Sequence, residues 1–141
     1  RMNVRLEKEL EFLWSDYVDP YYGMEQKMEA IERVDKIATT DDLPRLILAL
    51  KSEKNDFWIR ELLSEPICKI DDGSHLAELF EAFDQNFEDG HDNDGFTFSL
   101  TELAISKSDI CREHLNALIN SPSFKHKKHA QWLIQFCEPF N

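Results

Sequence analysis

Two stretches of this chain hold residue types suited to binding metal ions. In Glu88-Asp89-Gly90-His91-Asp92-Asn93-Asp94-Gly95, carboxylates cluster as a hard cation such as calcium requires. The spacing does not complete a calcium loop. With Gly95 as the loop glycine, Asp92 and Asp94 take the third and fifth positions, but Gly90 takes the first and Thr101 the twelfth, where a bidentate acid is needed. The second stretch is His126 with His129, whose i, i+3 spacing puts two imidazoles on one helix face, with Cys137 as a third zinc ligand. It has no fourth ligand close by, and Lys127 and Lys128 oppose a cation. These residues therefore predict no metal and no cofactor. The acidic stretch reads as a solvated or partner-contacting loop, and the histidines as solvent-exposed groups near the terminus.

Covalent chemistry has less support. A nucleophile needs a base and an orienting group, and Cys68, Cys111 and Cys137 sit far apart on apolar helical stripes without a local catalytic signature. They read as buried thiols in a reducing, cytoplasmic setting. A Gly-rich phosphate loop, a nucleophile elbow and a zinc-protease motif are all missing from the 141 residues. The expectation is a protein that is not an enzyme.

Composition narrows the partner. With 42% hydrophobic and 31% charged residues the chain has enough apolar groups to fold as a single domain. Its net charge of −12 disfavours nucleic acid and anionic membranes, because each phosphate contact requires a positive group. The charge is also segregated: from Ile70 to Ser106 there is no Lys or Arg, while ten acids occur. An acidic surface steers a basic protein partner into encounter, or simply keeps the protein dispersed. Neither an N-terminal leader nor an apolar run long enough to span a membrane is encoded. The oligomeric state is left open.

The elements that must position these residues are helices. Apolar residues recur at helical spacing, and the stripes led by Leu43, Leu76 and Cys111 are 33 and 35 residues apart. Helix pairs of this length bury their apolar faces by stacking. The predicted architecture is therefore all-α, a short right-handed α-solenoid of antiparallel helix pairs with about eight helices. It divides into an N-terminal pair over 1–40, a first repeat over 41–72, a second over 73–107 containing the acidic turn, and a third over 108–138. The first pair uses Val4, Leu6, Leu10, Leu13 and Trp14, then Met24, Met28, Ile31, Val34 and Ile37. Asp42 and Ser74 are candidate N-caps, and Phe96-Thr97-Phe98 alternates as the start of an extended segment does.

The first repeat, with Leu43-Pro44, Leu46, Ala49 and Leu50 followed by Ile59-Arg60, Leu63, Ile67 and Ile70, resembles the HEAT repeat. The resemblance covers about two thirds of the chain and weakens along it, since Thr97 and then Lys127 stand where that arginine belongs. It implies that Arg60 pairs with Asp56 or a neighbouring acid as a structural ladder contact. HEAT-like proteins are usually scaffolds, adaptors or inhibitors, and small ones include bacterial immunity proteins and bilin-lyase-related proteins. The resemblance thus implies protein binding: an immunity-type inhibitor masking a basic toxin surface, alternatively a structural adaptor or assembly subunit, or third a bilin-lyase-like chaperone. The candidate partner-binding residues are Asp71, Asp72, Glu88, Asp89, Asp92 and Asp94, with Tyr21 and Tyr22 as aromatic anchors. Those tyrosines, like Trp58 and Trp132, read first as packing groups, since aromatic clusters more often fill cores.

Overall fold

The computed structural model describes residues 2–16 and 23–137 and is all-helical over them. Eight α-helices follow one another: α1 (Val4–Trp14), α2 (Gly23–Ile37), α3 (Leu43–Leu50), α4 (Phe57–Ile70), α5 (Leu76–Glu88), α6 (Asp94–Ser106), α7 (Ser108–Ile119) and α8 (Lys127–Ile134). Short 3-10 turns at Thr40–Asp42 and Gln135–Cys137 complete the described chain. None of these helices is long and apolar enough to cross a membrane.

The helical period explains most of the burial. On α1, Leu6, Leu10 and Leu13 are fully buried, and on α3 the i, i+3, i+4, i+7 set Leu43, Leu46, Ile47 and Leu50 turns inward. Phe96 is fully buried whereas Phe98 is 64% exposed. Two positions along a helix point to opposite sides, so this segment belongs wholly to α6 and no extended start forms. One continuous apolar core runs from Leu6 to Cys137. Its largest buried side chains include Phe80 and Phe96, each worth about 2–3 kcal/mol of transfer free energy.

Neighbouring helices pack in sequence, α1 on α2, α3 on α4 and α7 on α8, and a second set of contacts links α2 to α4, α4 to α6 and α6 to α8. The odd-numbered helices α3, α5 and α7 are linked likewise. Each helix therefore rests on its neighbour in sequence, on the helix one further along, or on both, and all eight contribute to the core.

Local capping departs from the expected pattern in three places. Met28 is 52% exposed, and its neighbour Lys27 is 5% exposed in its stead. The Lys27 ammonium donates to the Leu13 carbonyl at 2.9 Å and the Ser15 carbonyl at 2.7 Å, so it satisfies orphan acceptors at the end of α1. Asp42 stands at the N-cap position of α3 but makes no side-chain cap bond there: its carboxylate accepts from the Thr39 amide at 2.9 Å and closes the 3-10 turn that leads into the helix. Ser74 is not the N-cap of α5, which starts at Leu76 after His75. Asp71 serves that corner from the end of α4, accepting from the amides of Gly73 at 2.9 Å and His75 at 3.3 Å.

Candidate functional site

The acidic stretch forms the corner between α5 and α6, and its backbone is tightly held. Gly90 has φ of +85°, its amide donates to Phe87 at 3.0 Å, and the His91 amide donates to Asn86 at 2.9 Å. This pair of bonds with a left-handed glycine is the Schellman ending of a helix. Three residues on, Asn93 also adopts positive φ, at 62°, and α6 starts directly after it.

Beneath the corner lies a buried amide network. Asn86 and Asn93 are both fully buried, although flanking acids suggest a solvated loop. The Asn86 side chain donates to Asn93 Oδ1 at 2.8 Å and to the Phe57 carbonyl at 3.0 Å, and it accepts from Arg60 Nε at 2.6 Å. Asn93 in turn donates to the Phe83 carbonyl at 2.8 Å. Every polar atom of the two amides is thus paired, which is what makes their burial tolerable. From α4, Glu61 Oε1 accepts from the amides of Gly95 at 2.9 Å and Phe96 at 3.2 Å, placing a carboxylate on the positive end of α6. His91 stacks on Phe57 with ring centroids 4.6 Å apart and meets the edge of Trp58 at 4.7 Å. Its Nε2 lies 3.1 Å from Glu61 Oε2 without hydrogen-bond geometry.

The expected ladder pair is rearranged. Arg60 reaches across to α5, where it pairs with Asp89 and donates to Asn86. Asp56 is instead the N-cap of α4, accepting from the Ile59 amide at 2.9 Å. The reason is directional: a carboxylate at the start of a helix is best used by the amides of its own first turn. Asp89 also accepts from Gln85 at 2.9 Å, so it belongs to the corner's scaffold as much as to its surface.

Among the other acids expected to touch a partner, Glu88, Asp92 and Asp94 are exposed on this corner. Asp71 is not available for a partner. It is fully buried and spends its oxygens on Gly73, Ser74 and His75, including a 2.8 Å contact with His75 Nδ1. Asp72 is exposed, and the Ser74 amide and hydroxyl hold its carboxyl below the usual range. It lies at the opposite end of the 13-residue α5 from Asp92, about 20 Å along the helix axis. The acids thus fall into two groups. Tyr21 and Tyr22 lie outside the described residues.

Trp58 is the aromatic group that belongs to the corner, 41% exposed and braced by His91. Its sequence position alone left core and surface roles open. The roles of buried Asn86 and Asn93 and of half-buried Glu61 had no sequence signal beyond Asn93, a residue type that tolerates positive φ.

Chemistry at the cysteines has no support from their surroundings. Cys68, Cys111 and Cys137 are all buried. Burial pushes the Cys68 thiol far up and the Cys111 thiol up to about 12, which suppresses the reactive thiolate. The terminal histidines, by contrast, are not solvated as expected: the His126 and His129 side chains are 13% and 21% exposed and face acids on α5. No family model, curated protein or solved structure matches this chain.

Proposed function

We propose that the chain is a non-enzymatic, HEAT-like binding module whose α5–α6 corner docks on a basic protein surface. The observation that carries this reading is the combination of a rigid corner with solvent-facing charge. Glu88, Asp92 and Asp94 project from a backbone held by the Asn86–Asn93 network and the Glu61 cap, beside the half-exposed ring of Trp58. A preorganised acidic rim around an aromatic anchor loses little entropy on binding and steers a cationic partner. The contacts of α2, α4, α6 and α8 in one row, and of α3, α5 and α7 in another, support a short solenoid as the scaffold. Three buried cysteines agree with a reducing, cytoplasmic location.

The specific version is an immunity-type inhibitor that occludes the nucleic-acid cleft of a toxin, its acids standing in for phosphates. A partner captured at low salt and then purified provides the test by calorimetry over about 50–500 mM salt, where screening shortens to a few ångströms. Affinity is expected to fall with salt, and the triple change Glu88→Gln, Asp92→Asn, Asp94→Asn should weaken binding at least about tenfold and flatten the salt slope. Asp89 is left intact because it anchors Arg60. A cognate affinity insensitive both to salt and to these changes sinks the acidic-corner reading, and a partner surface without basic residues sinks the toxin version.

A further inference from the structure

We propose that Asp84, His126 and His129 bind one divalent transition-metal ion, with zinc as the best match to their ligand type. Two i, i+3 pairs face each other across the structure: Glu81 and Asp84 on α5, and His126 and His129 at the start of α8. Asp84 Oδ1 lies 3.0 Å from His129 Nε2 and 3.8 Å from His126 Nδ1, and all three ligand atoms are within 4.8 Å of one another. Zinc bonds of about 2.0–2.1 Å at tetrahedral angles separate ligand atoms by roughly 3.3 Å, so a small shift of the His126 ring suffices.

The surroundings are arranged as a ligating set needs. The other nitrogen of His126, Nε2, meets Glu81 Oε2 at 2.9 Å. A carboxylate on the outer nitrogen of a metal-bound imidazole holds its tautomer and orientation. Aromatic rings fix the imidazoles from the sides: Phe80 stacks on His129 at 6.0 Å, Phe83 meets its edge at 5.0 Å, and Phe124 meets the edge of His126 at 5.9 Å. Two imidazoles and one carboxylate suit zinc and its neighbours better than magnesium or calcium, and three protein ligands leave a coordination position for water or a partner's side chain. Lys127 and Lys128, which oppose a cation in a reading of the sequence alone, lie at positions one and two after His126, where neighbours do not share its face. The ion would clip the last helix to α5. The similar group of Glu61, His91 and Asp92 is a poorer set, because it offers one imidazole where the other offers two and the Asp92 side chain is 74% exposed.

The test is calorimetric titration of the full chain, first stripped with a chelator, using zinc chloride in excess magnesium. One equivalent of zinc is expected. Asp84→Asn and His129→Gln should each weaken binding by at least about 100-fold, Glu81→Gln by about 10–100-fold, and the control His114→Gln should leave it unchanged. A readout on the unaltered protein guards against variants that fail to fold: zinc should shift the imidazole nitrogen resonances of His126 and His129 and not those of His75, His91 and His114. Failure of the wild type to take up one equivalent overturns the proposal, as does undiminished affinity in the Asp84 and His129 variants or a shift centred on the other histidines.

Discussion

Replacing Asn86 with Ala removes the centre of the corner's buried network, and the cost can be worked out bond by bond. Asn86 is fully buried, and its loss strands Asn93 Oδ1, the Phe57 carbonyl and Arg60 Nε. A buried polar group left without its partner costs about 1–3 kcal/mol. Arg60 counts least of the three, since it retains Asp89. The expected destabilisation is about 3–5 kcal/mol, a large share of the roughly 5–15 kcal/mol by which a domain is stable. Melting should fall by about 10–20 °C. Urea unfolding followed by circular dichroism measures this directly, and amide exchange should show that His91, Gly95 and Thr97 lose protection first. Asn93→Gly supplies the partner variant, because glycine keeps the positive φ while deleting the side chain. The two substitutions share a hydrogen bond, so their costs should not add, and the double variant should be less damaged than the sum by about 0.5–3 kcal/mol. A loss below about 1 kcal/mol for Asn86→Ala, or strict additivity with Asn93→Gly, would refute the claim that this network holds the corner.

Two further outcomes follow from other parts of the fold. Burial, a hydrogen bond to Asp35 and the Asp35 charge push the Glu65 carboxyl up from 4.5 to about 7. Because the folded value lies above the unfolded one, the proton-linked stabilisation is complete below about 4.5 and is lost as pH rises through about 7. Glu65→Gln should therefore match the wild type at pH near 4 and exceed its stability at pH near 8 by about 1 kcal/mol, a figure reduced for solvent screening. Equal urea midpoints at both pH values would contradict it. Gly73 has φ of +103°, and a Cβ there would sit 3.1 Å from both Cys111 Sγ and His114 Cδ2. Gly73→Ala should cost about 1–3 kcal/mol in the same unfolding assay, and an unchanged midpoint would show that this turn relaxes freely.

The all-helical class and much of the core were legible in the residues alone, because the 3.6-residue period is a local property of the chain. Leu6, Leu10 and Leu13, or Leu43, Leu46, Ile47 and Leu50, declare a buried face without reference to any other helix. The acidic corner was also visible as composition. Everything that depends on which helix lies opposite was not. Lys27 goes inward in place of Met28 because α1 ends where its ammonium can meet two carbonyls. Arg60 finds Asp89, 29 residues away, since α4 lies against α5 and Asp56 is already used by its own helix. Asp71 reads as a surface acid in sequence, and only the folded α4–α5 connection converges the amides that bury it. For the two terminal histidines the segment itself offered only Cys137 beside them, whereas the fold brings Asp84 to His129 from 45 residues earlier. Spacing along one helix determines which side chains share a face, whereas the rotation and register of packed helices determine what that face meets. The sequence by itself therefore determined the helices and the sign of the surface, and the tertiary structure decided which acids are scaffold, which are free to bind, and where the histidines point.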